Sequence, residues 1–134
     1  MILVDAGPLV AFVNSRDQHH WRCRGIFESV RGAFGTVWPA ITEAMFLLER
    51  LPAGQEAVWD MLERRAVRLL PLSEDDVPRM RELMRKYRNR PMDTADAALV
   101  RVAEREGLRR ILTVDRRDFE VYRIHGRGRF EILP

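Results

Sequence analysis

The chain has 134 residues, 46% hydrophobic and 32% charged, which suits one globular domain with a real core and leaves too little for two. Its net charge is +3 and all its basic residues but Lys86 are arginine; guanidinium forks grip phosphates, so nucleic acid is a plausible partner. The single cysteine, Cys23, excludes an internal disulfide framework and a cysteine-built zinc site. No apolar stretch approaches the roughly 20 residues of a membrane span, so a cytoplasmic protein without membrane contact is expected.

Met1 to Val4 is a short apolar run broken by Asp5-Ala6-Gly7-Pro8. It reads as a strand buried on both faces, with Asp5 at its carboxyl end. Pro8 opens a short helix to Asn14, and a second runs from Gln18 to Val30. Gly35 to Trp38 is a candidate strand stopped by Pro39. A helix follows from about Ala40 to Arg50, with Glu43 in its first turn, where a carboxylate also suits the helix dipole. Pro52 ends that helix, and Gly54 to Arg65 forms another.

Val67 to Leu72 reads as a third strand. Ser73-Glu74-Asp75-Asp76 resembles a capping box opening a helix to about Tyr87, so these three acids are assigned to capping and solvent. After Arg88-Asn89-Arg90-Pro91 comes Met92-Asp93-Thr94-Ala95-Asp96-Ala97-Ala98-Leu99, the start of a helix ending at Gly107. Asp93 suits an N-cap, and Asp96 stands three residues on, at the edge of an apolar run where its charge needs compensation. Arg110 to Val114 is the fourth strand, with Asp115 at its carboxyl end, and Phe130 to Leu133 is a possible edge strand. Strands alternating with helices imply an α/β sandwich with a mainly parallel sheet.

In such sheets, ligands gather beyond the carboxyl ends of the strands. Asp5 and Asp115 each end a strand there, and the helices carrying Glu43 and Asp96 begin at the same rim. Four carboxylates converging on one spot would be costly without a counter-ion. Oxygen-only ligands favour Mg²⁺, with Mn²⁺ a possible substitute, and such ions suit phosphodiester hydrolysis. Adjacent residues diverge on a helix, so His19-His20 is not read as a metal pair. Trp21, Trp38 and Trp59 are assigned to core or dimer packing rather than base stacking, and Cys23 to a small buried or half-buried site.

The segments Met1 to Asp5, Pro39 to Glu43, Met92 to Val100 and Leu112 to Phe119 resemble, in order, the four blocks of PIN-domain ribonucleases. The similarity spans essentially the whole chain and is closest to VapC-like toxins of toxin–antitoxin pairs. It implies a PIN-like three-layer α/β/α sandwich over residues 1–134. It implies further that Asp5, Glu43, Asp96 and Asp115 form the acidic metal site, with Asp5 and Asp96 the best-supported Mg²⁺ ligands. Asp118 matches a further acid that binds through water or orders its loop, and Asp93 matches less closely. The implied activity is endonucleolytic RNA cleavage by metal-activated water, and the implied partners are a second copy of the chain and a cognate antitoxin.

Arg88, Arg90, Arg116 and Arg117 flank the two late acids, where they could hold RNA phosphates or an acidic antitoxin tail. One departure stands out: Ala6-Gly7 follow the first Asp, where the family commonly has a Thr or Ser. Other readings are a housekeeping RNA-processing nuclease of the same fold, or a binding module that has lost its chemistry.

Overall fold

The computed structural model covers residues 1–134. Five strands form the main sheet: β1 (Ile2–Val4), β2 (Phe34–Thr36), β3 (Val67–Leu69), β4 (Arg110–Leu112) and β7 (Glu131–Leu133), in the order β3-β2-β1-β4-β7. Every pairing in it is parallel, which places β1 at the centre with its carboxyl end beside that of β4. A separate antiparallel hairpin, β5 (Arg123–Ile124) and β6 (Gly128–Arg129), was not expected from the sequence. Its strands are too short to show an alternating pattern.

Side chains alternate across the sheet, and this builds two cores. Leu3 and Ile111, cross-strand partners, face one layer together with Leu83, Leu99, Phe119 and Tyr122. Ile2, Val4 and Leu112 face the other, with Leu9, Ile41 and Val58. The first core is covered by α5 (Val77–Lys86), α6 (Thr94–Glu106) and α7 (Arg116–Val121). The second is covered by α1 (Ala6–Val13), α2 (His20–Ser29), α3 (Trp38–Leu47) and α4 (Pro52–Glu63). This is a three-layer α/β/α arrangement. Each fully buried Leu or Ile contributes about 1.5–3 kcal/mol, so the central apolar run of β1, buried on both faces, is worth several of these.

Two prolines act differently from the expectation. Pro39 lies within the first turn of α3 and Pro52 begins α4, because the first-turn N–H groups have no partner inside a helix and proline lacks only that group. As a result α3 starts at Trp38, and Glu43 falls in its second turn rather than its first. The helix dipole therefore does not account for Glu43.

Asp76 also departs from its assignment to solvent. It completes a capping box with Ser73, yet it is buried and paired at 2.8 Å with both Arg101 and Arg105 of α6. The three tryptophans are not core residues: Trp21 is 73% exposed, Trp38 50% and Trp59 46%. Cys23 is fully buried. No helix is long and apolar enough to cross a membrane.

Candidate active site

Asp5 leaves the central strand and caps α1. One carboxylate oxygen accepts the Ala6 N–H at 2.8 Å, and the other accepts the Thr113 hydroxyl at 2.9 Å. Its own N–H donates to the Leu112 carbonyl, which extends the β1–β4 ladder by one step and locks Asp5 against β4. Asp5 is only 4% exposed. Burial pushes its carboxyl up to about 7, against these two hydrogen bonds, and the charges of Glu43 and Asp115 push the same way.

Asp96 lies in the first turn of α6. Its N–H is capped by the Asp93 carboxylate at 2.8 Å, and its own Oδ2 accepts the Tyr122 hydroxyl at 2.7 Å. Burial raises it to about 8; the Tyr122 hydrogen bond opposes this, while Asp5, Asp93 and Asp118 add to it. Asp96 thus feels the charge of Asp5 although the two stand 91 residues apart along the chain. Glu43 is raised by burial and by Asp93 and Asp115. Asp115 is raised by burial, Asp118 and Asp93, with His19 pulling the other way.

Asp5, Glu43, Asp96 and Asp115, together with Asp93 and Asp118, therefore form one mutually repelling neighbourhood at the carboxyl rim of the sheet. Asp115 is exposed at its margin, and its N–H donates to Thr113 Oγ1 at 3.0 Å. The carboxylates stand near one another without closing into a preformed shell of three or more ligands.

The chain treats its other buried acids in the opposite way. Burial would raise Asp76, but the Ser73 N–H, Arg101 and Arg105 hold it below the usual carboxylate range. Glu104 is likewise held down by Arg79, at 2.8 Å, and by the His125 N–H. By contrast Asp5, Glu43, Asp96 and Asp115 take part in none of the ten ion pairs of the structure. The two deepest of them are held only by hydroxyls and backbone N–H groups. Such an all-oxygen, uncompensated set has the donor chemistry that suits a hard divalent cation.

Thr113 and Tyr122 are the site residues that the sequence reading missed. Thr113 bridges Asp5 and the Asp115 backbone, and it is legible in hindsight as a hydroxyl on a strand end beside β1. It brings a hydroxyl to the first Asp from β4, where Ala6-Gly7 bring none. Gly7 has its own reason to be small, since a Cβ there would lie 2.4 Å from Val114 Cγ2. Tyr122 stands 26 residues from Asp96, with no local signal linking them.

Among the arginines expected at the rim, Arg90 and Arg116 are already engaged. Arg90 bonds the Arg117 carbonyl and lies 3.7 Å from Asp118, while Arg116 bonds Pro134 and pairs with Glu120. Arg88 and Arg117 donate to no protein group through their side chains. His20 is buried with Nδ1 at 2.7 Å from the Ala11 carbonyl, so the two adjacent histidines are not a ligand pair.

A parallel α/β sandwich with unpaired acids gathered beyond its central strands belongs to the class of carboxylate-centred α/β domains. The family model described as the PIN domain matches residues 2–124, and the chain belongs to that family. Ribonuclease VapC26 of Mycobacterium tuberculosis is 27% identical over 136 residues, covering 99% of this chain and all of that protein. Among solved structures, Mycobacterium tuberculosis VapC20, a sarcin-ricin loop cleaving toxin, superposes with a TM-score of 0.75 at 19% identity, over 83% of this chain and 87% of its own. The VapBC2 complex of Rickettsia felis, bound to a DNA fragment from its promoter, gives a TM-score of 0.66 at 11% identity over the full length of both chains. A toxin–antitoxin complex from Klebsiella pneumoniae gives 0.68 at 16% identity, over 90% of this chain and 92% of that one. These structural likenesses establish the fold.

Proposed function

We propose that the protein is a divalent-cation-dependent endoribonuclease and the toxin of a toxin–antitoxin pair. The observation that carries this is that buried Asp5 and half-buried Asp96 lack any basic partner in a chain that gives arginines to its other buried acids. Asp5 and Asp96 would hold the ion, with Glu43 and Asp115 beside it; Asp93 caps the helix that carries Asp96, and Asp118 orders the loop. Mg²⁺ is the expected ion, and Mn²⁺ a substitute. Bound there, the ion would supply the acidity that makes water a nucleophile and would offset charge on the scissile phosphate.

Thr113 and Tyr122 orient the two carboxylates through hydrogen bonds, and Glu43 and Asp115 are positioned to accept a proton from the attacking water. Water adds at phosphorus, the bond to the 3′-oxygen breaks, and the products carry a 5′-phosphate and a 3′-hydroxyl. The ribonuclease and toxin descriptions of the similar proteins support RNA as the substrate, and the toxin–antitoxin complexes among them support an antitoxin partner. A homodimer working in the cytoplasm completes the proposal.

The test is Mg²⁺-dependent cleavage of total RNA, alongside growth after brief expression. Asp96→Asn should abolish both cleavage and growth arrest. Full cleavage by that variant would defeat the proposal.

A further inference from the structure

Helix α5 carries a row of arginines that the fold leaves without partners. Arg81 and Arg85 stand four residues apart, one helical turn, and Arg88 follows in the turn after the helix. All three are exposed, and none forms a side-chain hydrogen bond or ion pair. Their neighbours on the sheet side are spent: Arg79, Arg101 and Arg105 are locked onto Glu104 and Asp76. The free arginines border a shallow groove floored by Met80, Met84 and Met92. That groove ends at Pro91 and Met92, immediately before Asp93 and the first turn of α6.

From these positions we infer that α5 is the track along which single-stranded RNA reaches the carboxylate centre, with Arg81, Arg85 and Arg88 on successive phosphates and the methionine floor against the bases. The inference rests on the ribonuclease reading above. Charge decides for RNA: the centre itself is acidic and repels a phosphodiester, so affinity has to come from cations beside it. The row supplies them on the approach, and the exposed Arg117 lies beside Asp115 and Asp118. Three guanidiniums beside an apolar floor match a strand with a charged edge and flat apolar faces.

The probe is a fluorescein-labelled, mixed-sequence single-stranded RNA, bound to full-length Asp96→Asn protein in chelator while salt is varied. Replacing Arg81, Arg85 and Arg88 together by Gln removes three phosphate contacts. At about 0.7 per contact, the slope of log K against log salt should become shallower by roughly 2, and binding near 0.1 M salt should weaken by about a hundredfold. The triple Lys variant should restore the slope. Gln at Arg31, Arg65 and Arg109, at the opposite rim of the sheet, should change both little, and circular dichroism checks that each variant is folded. An unchanged slope in the α5 variant, or an equal loss in the opposite-rim variant, overturns the inference. Intact RNA binding with lost affinity for poly-L-glutamate overturns it too and assigns the face to an acidic protein. Failure of the parent protein to bind or cleave any RNA would instead strike the ribonuclease reading itself.

Discussion

Asp5→Asn removes a buried charge while keeping a carbonyl oxygen to cap the Ala6 N–H. In the metal-free protein the carboxyl sits at about 7, against an ordinary value of 3.8. Between those two values the folded chain keeps a proton that the unfolded chain has released. Stability therefore falls as pH rises through this window, and the full cost is present above about 7. A difference of about 3 units at 1.36 kcal/mol each gives a cost on the order of 4 kcal/mol, an upper bound because Asp5 and Asp96 titrate together. For a domain of this size, that is up to roughly 14 °C in melting temperature.

The assay is thermal unfolding in chelator at about pH 5 and about pH 8.5, repeated at the higher pH with millimolar Mg²⁺ or Mn²⁺. Wild type should melt lower at the alkaline pH and recover when the cation is added. The Asn variant should melt several degrees above wild type at alkaline pH in chelator, show a smaller pH dependence, and gain little from the cation. A variant that is destabilised at alkaline pH, or that keeps the wild-type response to cation, would refute the reasoning. It would mean that Asp5 is an N-cap and nothing more.

Tyr122→Phe deletes the hydroxyl that holds Asp96 and leaves the ring packed between Tyr87 and Phe119. Mn²⁺ binding, read by calorimetry, should weaken by about 10–100-fold with the fold intact, and unchanged affinity would show that Asp96 needs no orienting partner. Asp76→Asn leaves Arg101 and Arg105 half-buried without their shared carboxylate, and should cost about 2 kcal/mol near neutral pH. Because the folded carboxyl lies below its ordinary value, that contribution is present above about pH 4 and lost as pH falls through the folded value. The variant and wild type should therefore converge in urea melts at acid pH; a constant gap would exclude the ion pairs as the cause.

Much of the architecture was legible in local pattern. The continuous apolar run Met1 to Val4 and the apolar centre of Arg110 to Val114 mark strands, and an acid directly after each marks the rim. Asp93 and Gly107 bracket α6 through ordinary capping chemistry, with Gly107 in the left-handed conformation. The roles of Pro39 and Pro52 were misread because a proline beside an apolar run is compatible with either a stop or a first turn. The difference lies in where the preceding chain is held. The tryptophans mislead for a related reason: size and apolarity argue for burial, but only the packing tells which faces the sheet has room to cover.

By itself, the sequence determined which residue types could bind a hard cation and at which ends of strands and helices they stand, since capping, periodicity and strand-end placement are properties of short segments. Tertiary structure decided which acids received a counter-charge. Asp76, Asp5 and Asp96 look alike in sequence, each an acid at the entrance to a helix. Arginines two and three turns along α6 reach Asp76, whereas the carboxylates of Asp5 and Asp96 meet only a backbone N–H and the hydroxyls of Thr113 and Tyr122. Those partners lie 25 to 108 residues away along the chain. Coulombic compensation depends on distance in space, which no short window of sequence encodes.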